Sequence, residues 1–199
     1  MGHVGEAFTT ALGLILSGDP ELAEIVLLSL QISLSAVALA VLLGMPLGAA
    51  LALFRFPGRG GLVVLLNAFM GLPPVVVGLF VYLMLSRAGP LGEWGLLFTP
   101  TAMVIAQAIL VTPIIAALTR QTVEDLYAEY REQLQSLGVG ALRAIPTLLW
   151  DGRFSLVTAV LAGLGRAMAE VGAVIIVGGN INHVTRVMTT TIALETSKG

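Results

Sequence analysis

Long apolar runs separated by short polar ones make up most of the chain, with one exception. Four runs, Ile25 to Phe54, Leu62 to Leu85, Thr101 to Leu118 and Phe154 to Val177, meet or approach the length a helix needs to cross a bilayer, about 20 residues. All four are predicted as helices, because hydrocarbon offers no partner to an unpaired backbone amide or carbonyl. The first is longer than a bilayer requires and is expected to tilt or project. Ala11 to Leu16 is too short to span and is expected to lie at the interface.

The exception is the segment from Thr119 to Arg153, where charge is dense. A helix start is predicted at Thr122-Val-Glu-Asp125, with acids in the first turn where the helix dipole favours them. Strong helix formers continue from Leu126 to Leu137, Gly138-Val-Gly140 interrupts, and a second short helix is predicted over about Ala141 to Trp150, strained by Pro146. The segment reads equally as a solvated hairpin joining two spans or as a docking element for a partner.

Composition turns these runs into a membrane protein. Apolar residues make up 57% of 199 and charged residues 11%, with a mean hydropathy of +0.96. A soluble domain carries about a quarter charged residues, so there is too little polar surface here to cover a water-soluble core. The formal charge of −2 gives no reason to expect a nucleic-acid partner. The absence of cysteine removes disulfides, thiolate metal sites and cysteine nucleophiles together. Glu6, Asp19, Glu21 and Glu24 stand where a cleavable signal peptide would need basic residues.

Arginine placement predicts orientation. Arg55, Arg59, Arg120, Arg131, Arg143 and Arg153 fall in one set of connections and only Arg87 and Arg186 in the other. Six against two makes the first set cytoplasmic and puts the N-terminus outside. Trp94 then lies in a short outer loop, Ser86 to Pro100, as an interfacial aromatic. Four spans leave both ends outside, and Ser197-Lys-Gly199 reads as the approach to a fifth span, so the chain as given is expected to be truncated.

Inside the spans, Arg166 and Glu170 lie one turn apart on one helix face. An ionised group at that depth costs at least a few kcal/mol, which an opposite charge offsets. The pair reads either as a structural ion pair or as a gate. Gly44-Met-Pro46-Leu-Gly48 predicts close helix approach with a kink, and Pro73, Pro74 and Pro113 are expected to bend their spans. Gln107 and Asn67 are expected to form interhelical hydrogen bonds. His183 has no clustered ligands, so no metal site is expected, and His3 is expected to be disordered. The chain has no Gly-x-x-x-x-Gly-Lys-Ser/Thr phosphate loop, no His-Glu-x-x-His and no Gly-x-Ser-x-Gly. It is therefore not expected to be an enzyme, and any ATP it uses must be held by another subunit.

Two groups of residues resemble a known family. Glu132, followed six residues later by Gly138, resembles the "EAA" loop of binding-protein-dependent ABC importer permeases, with Gln133 and Leu134 in place of the alanines and Ile145 in place of the usual aromatic. Asp151-Gly-Arg153, Gly163-Leu-Gly-Arg166-Ala-Met-Ala-Glu170-Val-Gly172-Ala173, Val177-Gly-Gly-Asn180 and Thr185-Arg186 through Thr196 resemble the tungstate branch of the molybdate and sulfate permeases. Leu72-Pro73-Pro74-Val-Val-Val-Gly78 resembles their proline-containing core helix. The resemblance runs from about Glu24 to Thr196.

It implies an all-α, polytopic type I importer domain over residues 1–199, in the plasma (inner) membrane of a prokaryote. It further implies a homodimer around a central pore, cytoplasmic ATPase subunits that bind ATP-Mg, and an external substrate-binding protein. The coupling loop is then about 120–153, with Glu132, Ser136, Gly138, Gly140, Arg143 and Ile145 as docking candidates. Arg166, Glu170, Gly172, Pro73 and Pro74 are the pathway candidates. ATP closure of the partner dimer would draw the two loops together and swing the spans between inward-open and outward-open states. Molybdate or another oxyanion is the alternative cargo. A secondary carrier or channel is the alternative class, for which no convincing internal repeat is found.

Overall fold

The computed structural model describes residues 8, 9, 12, 13 and 15–198. From Pro20 onward they form eight α-helices and one short 3-10 turn, with no strand among the described residues. His3, Ala11 and Leu14 lie outside the described residues, while Leu12, Ile15 and Leu16 beside them are exposed.

Among the described residues, two helices are long and apolar enough to cross a membrane alone. Helix α1 spans Pro20–Leu53; it starts on Asp19, whose carboxylate accepts from Leu22 N at 2.9 Å, with proline at the first position where no amide partner is needed. It runs through Pro46 as one helix with that proline on its exposed side. Four more helices form two bent pairs, α2 (Arg59–Met70) with α3 (Pro74–Leu85), and α5 (Ala141–Asp151) with α6 (Arg153–Met168). Between the pairs lies α4 (Pro100–Ser136), and α7 (Gly172–Gly178) and α8 (Met188–Lys198) close the order.

Three predicted boundaries move. The second apolar run is two helices meeting at 102°, broken at Gly71-Leu72-Pro73. The ring of Pro73 disfavours helical backbone at Leu72, Pro74 has no amide to donate, and Val76 N and Val77 N both turn to Pro73 O. The third run does not end at Leu118, because α4 continues unbroken to Ser136. Thr122 does not cap a new helix; its hydroxyl donates back to Leu118 O at 3.0 Å, and fully buried Thr119 and Val123 carry the packed face onward. The fourth run breaks at Ala169–Val171, leaving α6 and the short α7.

The spine is α1 against α4. A Cβ on Gly44 would lie 3.1 Å from Thr112 O, and one on Gly48 only 2.4 Å from Ala116 O, so the two backbones meet where glycine removes the side chain. Met103, Ala106 and Leu110 of α4 then gather Ile32 of α1, Val77 and Val81 of α3 and Ala173, Val174 and Val177 of α7 into the main core. A smaller cluster, with Ala49, Leu53, Val123, Ala144 and Leu148, seats α5 under the ends of α1 and α4. Gln107 forms its predicted interhelical bond, Nε2 donating to Ala167 O at 3.1 Å. Asn67 is exposed on α2 and makes no such bond among the described residues.

Candidate functional site

The break after α6 is built around one carboxylate. Glu170 is 3% exposed. Its Oε2 accepts from Arg166 Nη1 at 2.7 Å and its Oε1 accepts from Ala173 N at 3.0 Å. The side chain thus ends one helix and caps the next, where the dipole of α7 favours its charge. Thr189 Oγ1 donates to the Glu170 carbonyl at 2.9 Å, and Met188 N donates to Ser29 Oγ at 2.8 Å. These bonds tie the start of α8 to the break and to α1. A cavity of about 10 Å³ lies among Ser29, Ser33, Gln107 and Thr189. Its lining mixes these polar groups with Ile32, Ala167, Met168 and Val187. It is about the size that holds one water, and the otherwise unpartnered Gln107 Oε1 is buried beside it.

The second break lies against the first. A Cβ on Gly172 would stand 2.9 Å from Val75 Cγ2, and one on Gly78 only 2.7 Å from Ala173 Cα. The starts of α3 and α7 are therefore side by side, and Pro73, Pro74, Glu170 and Gly172 are brought to one place, with Arg166 joined through its ion pair. Arg166 and Glu170 are not on one continuous helix as the spacing predicts, since α6 ends at Met168; the turn that follows keeps them paired.

At the other end of α4 the chain makes a sharp elbow into α5. Gly138 sits at φ +67°, Gly138 N donates to Gln135 O and Val139 N donates to Leu134 O. This is a left-handed helix stop that glycine alone adopts without penalty. Glu132, Ser136, Gly138, Gly140 and Arg143 are all exposed around it. Ile145 is not among them: it is half-buried, packed against the buried cluster that includes Ala144 and Leu148 to hold α5 in place. Three apolar side chains that the sequence did not single out stand outward instead, Leu137 at 75%, Leu142 at 70% and Trp150 at 69% exposure. The signal for Leu142 was there, since it lies on the opposite face of α5 from Ala144 and Leu148.

Known proteins are similar to this chain along most or all of its length. The tungstate uptake system permease protein TupB of Peptoclostridium acidaminophilum is 40% identical over 199 residues, 100% of this chain and 87% of that protein. The protein of the same name from Campylobacter jejuni is 36% identical over 199 residues, 83% of its length. A probable anion ABC transporter permease protein of Haloferax volcanii is 40% identical over 183 residues, covering 89% of this chain and 79% of that protein. No family model matches. The chain belongs to the ABC transporter permeases.

In this permease the unbroken α4 joins the two sites, running from the core beside the paired breaks to the elbow. The joint of α2 with α1 and α4 is clamped near the elbow end. Glu124 of α4 takes both Arg59 and Arg120, and Arg59 Nε also donates to Leu51 O at 2.6 Å. Sequence reading used those arginines only to orient the chain. In the loop after α7, His183 Nδ1 lies 2.9 Å from Glu24 Oε2, so this histidine links the loop to the start of α1.

Proposed function

We propose that this permease imports tungstate, working as one half of a homodimer driven by a cytosolic ATPase and fed by an external binding protein. The observation that carries the cargo is its relation, over its whole length, to two permeases named for tungstate uptake. The arginines of the elbow end support placing that end in the cytosol and the start of α1 outside.

The geometry suggests how force would travel. The exposed Leu137 and Leu142, with Glu132, Ser136, Gly138, Gly140 and Arg143 beside them along the elbow, offer the ATPase an apolar knob with a polar rim. Movement of the elbow is carried along one uninterrupted helix, α4, to the adjoining breaks at Pro73–Pro74 and Glu170–Gly172. Broken helices there can pivot while the rest of the bundle stays rigid. The Arg166–Glu170 pair then serves as the fastening of the α6–α7 joint rather than as an anion ligand, because the carboxylate neutralises the guanidinium. ATP-Mg is bound by the partner subunit, and this chain contributes the docking surface and the gate.

The test is uptake into proteoliposomes that hold the permease, its ATPase and its binding protein. Tungstate uptake that requires ATP and binding protein is the expected result. Uptake without the ATPase, or preferential uptake of sulfate or molybdate, removes the reading.

A further inference from the structure

Two features formed by α1, α2 and α4 lie near one another along α1 and α2. The first is an apolar groove of about 430 Å³ between α1, α2 and α4, lined by Leu43, Leu47, Leu62, Leu65, Phe69 and Ile109 among others. Along α1 it reaches from Leu39 to Leu51, about 18 Å at 1.5 Å per residue. That is close to half the thickness of the hydrocarbon layer, about 15 Å. The second is a polar pocket of about 530 Å³ on the same three helices, lined by Arg55, Arg59, Glu124, Tyr127, Arg131 and Gln135. The two linings come near each other on α1, at Leu51 and Ala52, and on α2, at Leu62 and Arg59. On α4, by contrast, the groove ends at Pro113 and the pocket starts at Glu124, with the buried cluster of Leu51, Leu66, Ala116 and Ala117 between them.

The charge in the pocket is unbalanced. Its one acid, Glu124, is already taken by Arg59 and by Arg120 behind it. Arg55 and Arg131 form no ion pair among the described residues. The first turn of α2 adds to the positive field: Gly58 caps it without a side chain, and Gly60 and Gly61 have open space around them. An anion is wanted there, and an apolar chain is wanted in the nearby groove.

We infer that this side of the permease is a binding site for an anionic phospholipid, its phosphate on Arg55, Arg59 and Arg131 and one acyl chain along the α1–α2–α4 groove. A phosphate diester at a membrane rim is the ligand that arginines between spanning helices select. A soluble phosphate would meet the arginines but leave the groove unfilled, and the nearness of groove and pocket along α1 and α2 therefore favours the lipid. The site is independent of which anion the permease transports.

Native mass spectrometry of the full chain in detergent tests it, with dioleoyl phosphatidylglycerol against dioleoyl phosphatidylcholine as probes and glycerol 3-phosphate as the soluble competitor. The protein is expected to retain phosphatidylglycerol with a clear preference, reduced about fivefold for each arginine removed. Arg55→Gln with Arg131→Gln should lose most of the preference, and Leu47→Trp, which fills the groove, should weaken both lipids alike. If the double variant does not fold, Arg131→Gln alone, at an exposed and unpaired position of α4, carries the same test. Equal retention of the two lipids overturns the inference. So does displacement by glycerol 3-phosphate at equal concentration, which assigns the pocket to a soluble anion. Loss of a dimer mass rather than of lipid in Leu47→Trp assigns the groove to a second copy and overturns it as well.

Discussion

Glu170 caps the helix in which Ala173 sits: its Oε1 takes the Ala173 amide at 3.0 Å while its Oε2 holds Arg166 at 2.7 Å. One buried carboxylate thus fastens α6 to α7 at the point where the bilayer-spanning path is broken. Removing it strands a guanidinium that is two-thirds buried and leaves α7 uncapped. Glu170→Ala is expected to destabilise by about 3–5 kcal/mol. The double variant Arg166→Gln, Glu170→Gln removes both charges and keeps an acceptor for the amide, so it should recover most of that loss. Thermal unfolding in detergent measures both, and a double variant no better than Glu170→Ala sinks this account.

Close approach of α1 to α4 makes a second, sharper forecast. Gly48→Val would drive side-chain atoms into Ala116 O, already 2.4 Å from an added Cβ, and into Thr119 Cβ at 2.9 Å. A loss of about 3 kcal/mol is expected, the upper end of overpacking. Gly165→Ala is the contrast. Nothing lies within 4 Å of that position on α6, and helix propensity alone should stabilise by up to about 1 kcal/mol. The order of the two melting temperatures is the readout.

Sequence pattern carried the membrane fold because spanning segments announce themselves by length and apolarity. It marked Gly44 and Gly48 as a close helix approach, without naming α4 as the partner, and Gln107 as an interhelical bond for the same reason, that small and polar residues are conspicuous in a Leu-rich run. It missed the break at Ala169–Val171, which contains neither proline nor glycine and is made by Glu170 bonding across it. It also ended the third span at the first dense charge, although Thr119 and Val123 continue the buried face of α4. Polarity marks where the bilayer stops, whereas the helix stops only where Gly138 turns left-handed. Ile145 was placed in the docking set by the family's spacing, and its packing against the buried cluster of Ala49, Leu53, Val123, Ala144 and Leu148 needed the fold to be seen.

The two glycines of the elbow have separable roles. Gly138 has φ +67° with nothing within 4 Å, so a side chain there meets strain without a clash. Gly138→Ala is expected to cost about 1–2 kcal/mol, all of it from backbone conformation. Gly140 has φ −72° and ψ 160°, which any residue adopts at a helix cap. Gly140→Ser should be neutral or stabilise by a few tenths of a kcal/mol, since serine can cap the first turn of α5. Denaturant or thermal unfolding of the pair distinguishes the positions, and equal effects would refute the assignment.

The two faces of α5 give the last prediction. Leu148 is fully buried under α1 and α4, whereas Leu142 is 70% exposed. Leu148→Ala should destabilise by about 2–5 kcal/mol through the cavity it leaves, and should weaken ATPase binding only as far as α5 is lost. Leu142→Glu changes a side chain that faces outward and should alter stability by less than about 0.5 kcal/mol. If Leu142 is part of the docking knob, burying a carboxylate against the partner should nevertheless abolish association with the ATPase and the ATP-dependent uptake that follows from it. Co-purification of the ATPase with each variant, alongside melting curves of the permease alone, separates the two effects. A Leu142→Glu permease that still retains its ATPase would place the docking surface elsewhere than on the outer face of α5.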